Sequence, residues 1–487
     1  MTVDEALDLV SSQTGNALPS LTATQRAHVV AVLEGDEECA VLEGPAGSGK
    51  TTVLTWLILA TGVMDCPVYV CAPTHKAAAV LRRKLAPWGH LCPLPTPTTI
   101  HSLLGLKMRR TKPGGPLEAV SSGAYLGLEE GALLIIDECS MISLSLMQVI
   151  EEVAGQYQLQ VLFAGDPCQL QPVNEGKRSK TFKVKPRLAL EEVLRHDGAI
   201  LDLATKVREL GFVPVIKPAQ GDSSEVCVHR SYKEMTDVWL RELQRRFREG
   251  TADEVVMLTY TNQMRRSFND SARRALYGKS VERFSVGDTV MALEPVMGKT
   301  VDKQPIVLIR NNQDMVINEV MYFEALEPVP GLGVTFKTWR LTVTIRNEEE
   351  VSETRVVHVL AEGEEANYKK ALSSVKSKIL SASKASSRRP VAPAGRGIMA
   401  AARAAAPAED ARAGWSKYYY PLEEFYASVD YKYASTIHKA QGDEWQSVYV
   451  NNDYTKSREE EVQLLYVAAT RAQRTLHHID NSPRRGA

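Results

Sequence analysis

The chain has 487 residues, which is too long for one ordinary hydrophobic core and predicts two or more domains. Its 44% hydrophobic and 24% charged residues are typical of a soluble globular protein. The formal net charge of −1 excludes a global electrostatic attraction to nucleic acid, so any such contact must come from local basic stripes.

The N-terminus, MTVDEALDLV, is acidic and lacks the basic and apolar segments of a secretory signal. The longest apolar runs, such as VLTWLILATGV, are too short to span a membrane. The seven cysteines are odd in number and include no CxxC pair, so neither a disulfide framework nor a zinc site is expected. These features predict a cytoplasmic location, in a bacterial cell or a phage-infected host.

The first motif along the chain is VLEGPAGSGKTT (41–52), an apolar run followed by a loop that matches GxxxxGK[ST]. Its glycines allow backbone N–H groups to surround a phosphate, and the next helix adds its positive N-terminal end. Lys50 is expected to contact the β- and γ-phosphates, and the Thr51 hydroxyl is expected to bind Mg²⁺. The predicted nucleotide-binding residues here are Gly44, Pro45, Ala46, Gly47, Ser48, Gly49, Lys50, Thr51 and Thr52.

Three β-rich runs follow, VYVCAP (68–73), ALLIIDE (132–138) and QVLFAGD (160–166), and each precedes a helix-like segment. This alternation predicts a parallel sheet with crossover helices, with ligands at the carboxyl ends of the strands. At one such end, Asp137 is predicted to hold Mg²⁺ and Glu138 to orient and deprotonate the attacking water. The adjacent glutamate favours hydrolysis over a kinase acting on a small metabolite.

A second α/β set begins at VVMLTYTN (255–262) and resumes at WQSVYVNND (445–453). Between them, short alternating strands predict a small inserted β-barrel, followed by a helical stretch at 362–380 and an Ala/Pro/Ser-rich tract at 381–414. Nine basic residues and no acidic one lie between Lys369 and Arg403. We predict that the tract is a flexible loop, either a solvated linker or a contact to backbone phosphates.

The order of the motifs resembles that of superfamily 1 DNA helicases. The matching segments are LTATQ (21–25), the P-loop, APTHKAA (72–78), TIHSLLG (99–105), IIDECSM (135–141), AGDPCQLQPV (164–173), LEEVLR (190–195), YASTIHKAQGDEW (433–445) and LLYVAATRA (464–472). The resemblance covers nearly the whole chain and points to the 5′→3′ branch that contains the phage Dda helicase and RecD-like enzymes.

This resemblance implies an α/β fold of two RecA-like P-loop domains, with an inserted SH3-like β-barrel, a helical tower and a β-hairpin pin. The implied domains are motor domain 1A at 1–98 and 129–194, pin subdomain 1B at 99–128, motor domain 2A at 195–285 and 430–487, and the inserted domain 2B at 286–429. The pin segment, LKMRRTKPGGPLEAV (106–120), differs from that of Dda and lacks an aromatic tip, so Leu117 or Val120 is a candidate wedge.

The resemblance also assigns roles around the nucleotide. Gln25 is expected to hydrogen-bond the adenine edge, Gln169 to sense the γ-phosphate and Glu444 to meet the ribose. Tyr260 is expected either to stack on adenine or to belong to the core. Arg195 and Arg471 resemble arginine fingers, for which a planar and permanently charged guanidinium is suited.

The expected DNA contacts lie at strand ends of both motor domains, where hydroxyl, imidazole and ammonium groups can meet phosphate oxygens without reading sequence. They are Thr74, His75, Lys76, Thr99, His101, Ser435, Thr436, His438 and Lys439. We therefore expect an ATP- and Mg²⁺-dependent helicase that acts as a monomer on single-stranded DNA and duplex junctions. Replication, repair or recombination proteins are candidate partners. The alternatives are an RNA helicase of the same superfamily and a DNA-binding protein with a non-motor ATPase.

Overall fold

The computed structural model of the chain describes residues 1–110, 117–121, 127–172, 178–192, 198–221, 223–278, 282–299, 305–346, 351–387, 415–453 and 457–480. The chain forms two compact units. The first contains Met1–Arg109, Leu117–Ala272 and Tyr433–Ala487, and the second consists mainly of Arg273–Lys432. None of the described helices combines the length and apolar character that a membrane span requires.

The first α/β half of the first unit begins with two capped helices. Thr2 and Glu5 exchange hydrogen bonds across the first turn of one helix, and Thr22 and Gln25 do so in the next, which satisfies N–H groups that have no partner inside a helix. The elements of this half are α1 (Val3–Thr14), α2 (Ala23–Glu34), β1 (Cys39–Glu43), α3 (Lys50–Val63), β2 (Val68–Ala72), α4 (His75–Leu85), β3 (Thr98–Thr99), α5 (Ile100–Leu103), β4 (Leu106–Arg110), β5 (Leu117–Ser121), β6 (Leu133–Ile136), α6 (Leu144–Tyr157), β7 (Gln160–Gly165) and β8 (Arg187–Ala189). Short 3₁₀ helices lie at Gly15–Ala17, Ala86–Trp88, Cys139–Met141 and Lys180–Lys183.

Six of these strands form a parallel sheet in the order β3-β2-β6-β7-β1-β8. Leu42, Ile135 and Leu162 belong to the core shared with α1, α2 and α3. The alternate residues Val41 and Phe163 belong to the core shared with α5 and α6. Because both faces of the sheet are covered, its strands are nearly continuous apolar runs. This confirms the predicted strands within 68–73, 132–138 and 160–166.

At the position of the predicted pin, β4 and β5 form a separate two-stranded sheet. Residues 111–116, which include the predicted turn, lie outside the described part of the chain. The identity of the wedge residue, Leu117 or Val120, stays a prediction.

The second α/β half begins after residue 198 and is interrupted by the second unit. Its first elements are α7 (Ala199–Leu210), β9 (Ala219–Gln220), β10 (Glu225–His229), α8 (Tyr232–Glu249), the 3₁₀ helix Ala252–Glu254, β11 (Val255–Thr259) and α9 (Asn262–Tyr277). Gly211 and Gly250 follow α7 and α8 in the left-handed conformation, with φ of 63° and 75°, which is a frequent way for glycine to end a helix.

The second unit is built on antiparallel strands. Its elements are β12 (Thr289–Ala292), β13 (Val296–Lys299), β14 (Pro305–Ile309), β15 (Asp314–Leu326), β16 (Phe336–Arg346), β17 (Ser352–Leu360), α10 (Glu365–Ser387), the π-helix Trp415–Tyr419, α11 (Tyr420–Glu423) and β18 (Val429–Tyr431). Five strands form a sheet in the order β17-β16-β15-β12-β18, and β13 pairs with β14. The backbone N–H of Ala427 donates to the His358 carbonyl at 2.7 Å, so the two ends of the five-stranded sheet approach each other. The SH3-like assignment stays a prediction.

The structure corrects one boundary in this unit. Ala371, Val375 and Ile379 are buried at intervals of four residues along α10 and pack in the same core as Tyr419 and Leu422. The helix continues to Ser387, so the prediction of a loop was wrong for residues 381–387. Once the buried residues fix the first turns of α10, each further helical residue adds little free-energy cost. The serine- and alanine-rich sequence that follows has no glycine or proline before residue 388, so it can continue the helix. Residues 388–414 lie outside the described part of the chain.

The chain returns to the second half with β19 (Ala434–Thr436), β20 (Trp445–Val450), α12 (Arg458–Ala469) and β21 (Ala472–Ile479). The sheet order is β19-β11-β20-β21-β10-β9, parallel except for β9. Val256, Val448 and Leu476 pack in one core with Leu203 of α7 and Leu464 of α12. The first unit thus contains two RecA-like halves, as predicted. The finer boundaries of subdomains 1A, 1B, 2A and 2B stay predictions.

Candidate nucleotide and nucleic-acid site

The loop between β1 and α3 has the backbone of a phosphate cradle. Gly47 and Gly49 adopt φ of 81° and 86°, a left-handed conformation that favours glycine. A Cβ at Gly44 would lie 2.5 Å from Ser48 Oγ and 2.9 Å from the Leu190 carbonyl oxygen. The sequence therefore places glycine where other residues would be strained or would clash.

The loop carries polar groups that can bind an anion. Lys50 Nζ donates to the carbonyl oxygens of Gly44 and Pro45 at 2.7 and 2.9 Å, which folds the lysine over the loop. Ser48 Oγ is buried and has no hydrogen-bond partner within the described residues. Thr51 and Thr52 lie in the first turn of α3, where the helix adds its positive end. A triphosphate would therefore meet donors on several sides.

Two adjacent carboxylates follow β6. The Asp137 N–H donates to the Cys71 carbonyl at 3.0 Å, and the Glu138 N–H donates to Asp137 Oδ1 at 2.8 Å. Glu138 has φ of 54°, so its backbone turns sharply at the strand end. Burial and the neighbouring Glu138 charge raise the pKa of Asp137, while Lys50 acts in the opposite direction.

These side chains fit a magnesium site. The Thr51 hydroxyl and the Asp137 carboxylate are hard oxygen ligands of the kind that Mg²⁺ combines with substrate phosphates. The raised pKa of Asp137 shows that its negative charge is poorly compensated by the protein. A divalent cation would supply that compensation.

A tyrosine from the second half reaches the cradle. Tyr466 of α12 donates its hydroxyl proton to Asp166 Oδ2 at 2.5 Å and accepts from the Ala46 N–H at 2.8 Å. Asp166, at the end of β7, also accepts from the Cys168 N–H at 2.9 Å. Tyr466 and Asp166 are almost fully buried. We did not predict this bridge from the sequence, although Tyr466 and Asp166 both belong to quoted motifs, because the partners are 300 residues apart.

Replacing Tyr466 by phenylalanine tests this bridge. The ring is kept, but the Asp166 carboxylate and the Ala46 N–H each lose a buried partner. We expect ATP turnover at saturating single-stranded DNA to fall about tenfold, which corresponds to one lost hydrogen bond to a charged group. Steady-state ATPase assays give the rate, and Tyr232→Phe, at an exposed tyrosine, is the matched control. Equal rates for Tyr466→Phe and wild type would contradict a coupling role.

Gln25 also contacts the cradle. Its Nε2 donates to the Ser48 carbonyl at 3.2 Å, and its Oε1 accepts from the Thr22 N–H at 3.1 Å. The buried amide therefore joins the cap of α2 to the P-loop. An adenine contact by Gln25 stays a prediction.

Two further residues predicted to contact the nucleotide lie one in each half. Gln169 is buried, and its backbone N–H donates to the Asp166 carbonyl at 3.2 Å, which places it beside the Tyr466 bridge. Glu444 accepts from Gln473 Nε2 at 2.9 Å near the surface. Their contacts to a nucleotide stay predictions.

Arg471 is held within the second half. Its guanidinium donates to the Val467 carbonyl, the Asp443 carbonyl and the Thr470 hydroxyl at 3.2–3.3 Å, and the residue is buried. All three acceptors are uncharged groups of the second half. Arg195 lies outside the described residues, so the finger role of both arginines stays a prediction.

The predicted nucleic-acid residues of the first half lie at one sheet edge. β3 pairs in parallel with β2, so Thr74, two residues beyond β2, and Thr99, in β3, come close together. Thr74 Oγ1 accepts from the Ala77 N–H at 3.2 Å and Thr99 Oγ1 from the Ser102 N–H at 3.1 Å, so each hydroxyl caps a helix. Burial lowers the pKa of His101, which favours its neutral form.

His75 and Lys76 begin α4, directly after this edge. Lys76 Nζ forms an ion pair with Asp443 Oδ2 at 2.8 Å, so this lysine contacts the second half in the present structure. To bind DNA as predicted, the Lys76 ammonium would have to exchange the Asp443 carboxylate for a DNA phosphate.

The corresponding residues of the second half follow the same pattern. Ser435 and Thr436 are buried in β19, which pairs in parallel with β11. His438 and Lys439 follow β19 and are partly exposed. The His438 ring lies 5.8 Å from that of Tyr260, which follows β11. The structure thus places the predicted DNA residues at the carboxyl ends of neighbouring strands in both halves, and their DNA contacts stay predictions.

Comparisons with known proteins agree with this arrangement. Residues 20–211, which include the first sheet, match the model of an AAA domain, and residues 431–478 match the UvrD-like helicase C-terminal domain. The uncharacterised protein R530 of Acanthamoeba polyphaga mimivirus is 25% identical over 89% of this chain and 94% of its own length. The ATP-dependent DNA helicase Dda of Enterobacteria phage T4 is 23% identical over 90% of this chain and 93% of its own.

Shorter and structural similarities extend the comparison. The RecBCD enzyme subunit RecD of Mycolicibacterium smegmatis is 30% identical over 36% of this chain and 33% of its own length. A crystal structure of the Bacteroides Pif1 helicase with ADP-AlF3 and single-stranded DNA has a TM-score of 0.48 and 16% identity, covering 95% of this chain and 93% of that one. The two domain models and the Dda and RecD relatives therefore support the resemblance of this chain to superfamily 1 helicases of the branch that includes Dda and RecD.

Proposed function

We propose that this protein is an ATP-dependent DNA helicase that moves 5′→3′ along single-stranded DNA and unwinds duplex ahead of it. The observation that carries this proposal is the Tyr466 bridge, which joins the P-loop of one RecA-like half to α12 of the other. A nucleotide site shared by two halves couples phosphate chemistry to their relative movement.

The hydrolytic step follows from the residues at the strand ends. Glu138 accepts a proton from water as the water oxygen bonds to the γ-phosphorus and the bond to the bridging oxygen of ADP breaks. Lys50 and Arg471 stabilise negative charge on the transferring phosphoryl group. Thr51 and Asp137 would hold Mg²⁺, which would supply positive charge to the triphosphate when bound.

Movement requires that the two halves hold DNA alternately. The first half would use the strand-end groups of Thr74 to Lys76 with Thr99 and His101, and the second half those of 435–439. ATP would draw the halves together, and hydrolysis would release them, so that one grip advances relative to the other. The β4–β5 hairpin would then separate the duplex.

We further propose that the protein works as a monomer in the cytoplasm and that it serves DNA replication, repair or recombination.

The expected polarity can be measured with paired substrates. Duplexes that differ only in carrying a 5′ tail, a 3′ tail or no tail are mixed with the protein, ATP and Mg²⁺ in a single turnover with excess trap DNA. We expect product from the 5′-tailed duplex only, since 5′→3′ movement on that tail leads into the duplex. The readout is the fraction of strand released.

Two controls define what each result means. Lys50→Ala removes the phosphate-binding ammonium and should release no strand from any substrate. Replacing the tail by RNA separates a DNA helicase from the RNA alternative. Opening of the 3′-tailed duplex alone would refute the polarity, while the absence of any DNA-stimulated ATPase would refute a motor function.

A further inference from the structure

An ion pair joins the two halves beside the predicted DNA contacts. Lys76 Nζ and Asp443 Oδ2 are 2.8 Å apart, and their side chains are 25% and 15% exposed. Such partial burial leaves the pair less screened than a surface pair. Lys76 is the second residue of α4 in the first half, whereas Asp443 lies between β19 and β20 of the second.

The turn that carries Asp443 lies next to the first half. Gly442 has φ of 82°, and a Cβ there would lie 3.8 Å from Thr74 Oγ1 and 3.9 Å from Lys76 Cβ. The Asp443 N–H donates to the Ala440 carbonyl at 3.1 Å. The ion pair therefore anchors a defined turn of the second half to the strand end that is predicted to bind DNA.

The same turn also holds the predicted arginine finger. The Asp443 carbonyl accepts from Arg471 Nη1 at 3.3 Å, and the Trp445 N–H donates to the Arg471 carbonyl at 2.9 Å. A displacement of the turn would therefore remove one of the three acceptors that hold the guanidinium in its present position.

We propose that the Lys76–Asp443 pair restrains ATP hydrolysis until DNA binds. The inference rests on the proposed function. A DNA phosphate competes with Asp443 for the Lys76 ammonium, since both are anionic oxygen ligands. Once Lys76 turns to the phosphate, the Asp443 turn is released and Arg471 becomes free to approach the γ-phosphate. Asp443 is then a positioning residue that acts through Arg471 and couples DNA binding to turnover.

The substitution Asp443→Asn tests this restraint, because it keeps the shape of the side chain and removes its charge. We expect ATPase in the absence of DNA to rise about two- to fivefold, the range that a partly exposed ion pair supports. The rate at saturating single-stranded DNA should stay unchanged, so the stimulation ratio falls by the same factor. Half-maximal stimulation should need less DNA, because Lys76 no longer has to leave a carboxylate.

A double-mutant cycle separates the pair from its members. Lys76→Gln should raise the DNA-free rate by the same factor as Asp443→Asn, and the double variant should equal either single variant, since the Lys76–Asp443 interaction is lost in all three. Lys76→Gln should also need more DNA for half-maximal stimulation. Asp237→Asn and Lys233→Gln, at exposed positions of α8, are the matched controls, and thermal unfolding verifies that each variant is folded.

The outcomes distinguish this inference from the proposed function. If single-stranded DNA stimulates the wild-type ATPase and both single variants keep the wild-type DNA-free rate, the restraint does not exist although the motor assignment stands. A rise in only one of them, or additive effects in the double variant, would also overturn the pair as the cause. If DNA does not stimulate the wild type at all, the proposed function fails first.

Discussion

Glu138→Gln should bind ATP normally and hydrolyse it about 10²–10⁴ times more slowly than the wild type, the usual contribution of a general base. Glutamine keeps the shape and hydrogen bonding of Glu138 but cannot accept the proton of the attacking water. Glu138 has a left-handed backbone conformation at the end of β6. Because glutamine has nearly the same size and shape as glutamate, the substitution should leave this turn in place. Single-turnover hydrolysis and nucleotide binding, measured separately, give the two quantities.

The matched control for this substitution is Glu151→Gln on the exposed surface of α6. It makes the same chemical change in the same half without touching the strand end, and its turnover should equal that of the wild type. Wild-type hydrolysis by Glu138→Gln would show that another group activates the water. Loss of ATP binding would instead show that Glu138 shapes the site.

Arg471→Ala should reduce DNA-stimulated turnover about 10³–10⁵-fold, the range known for arginine fingers in phosphoryl transfer. Its effect on ATP affinity should be small, because an arginine finger acts on the charge that develops in the transition state and not on bound ATP. Arg471→Lys should recover little activity, since an ammonium lacks the planar, bidentate geometry. The measurement is kcat together with the dissociation constant of ATP.

The buried position of Arg471 requires a control for stability. Arg474→Ala removes an exposed arginine from the next strand, β21, and should leave both turnover and Tm unchanged. Because Arg471→Ala loses three hydrogen bonds, its Tm should fall by a few degrees while the fold is retained. A loss of ATP affinity equal to the loss of turnover would make Arg471 a docking residue.

The local features of this fold could be predicted from the sequence. Apolar runs that end in polar residues predicted β2, β6, β7, β11 and β20 because strands covered on both faces must be apolar along their length. The P-loop could be predicted for a similar reason, since Gly47 and Gly49 stand where the backbone has positive φ. In each case one short segment contains the whole physical cause.

Contacts between distant segments could not be predicted in this way. Tyr466 and Asp166 are 300 residues apart, and Lys76 and Asp443 are 367 residues apart. The sequence around Tyr466 does not indicate the partner of its buried hydroxyl, and the sequence around Lys76 does not indicate the partner of its ammonium. Lys76 was therefore assigned to DNA alone, whereas the structure also gives it a protein carboxylate.

The biased composition of one segment led to a wrong prediction of where a helix ends. The tract that starts at Ser381 has the Ala/Ser/Pro content of a linker, yet its first residues continue α10, whose buried stripe includes Val375 and Ile379. Helix continuation depends on packing of the preceding turns, which composition does not report.

The order of the strands indicates which parts of the two sheets unfold locally at a lower free-energy cost. β1, which leads into the P-loop, has a hydrogen-bonded neighbour on each side. Among the strands that the structure describes, β3 and β19, which carry Thr99, Ser435 and Thr436, are edge strands with one neighbour each. An edge strand gives up fewer hydrogen bonds when it opens, so local unfolding there costs less free energy. The strands that carry the predicted DNA contacts can therefore adapt their backbone at a lower free-energy cost than the strand that leads into the P-loop.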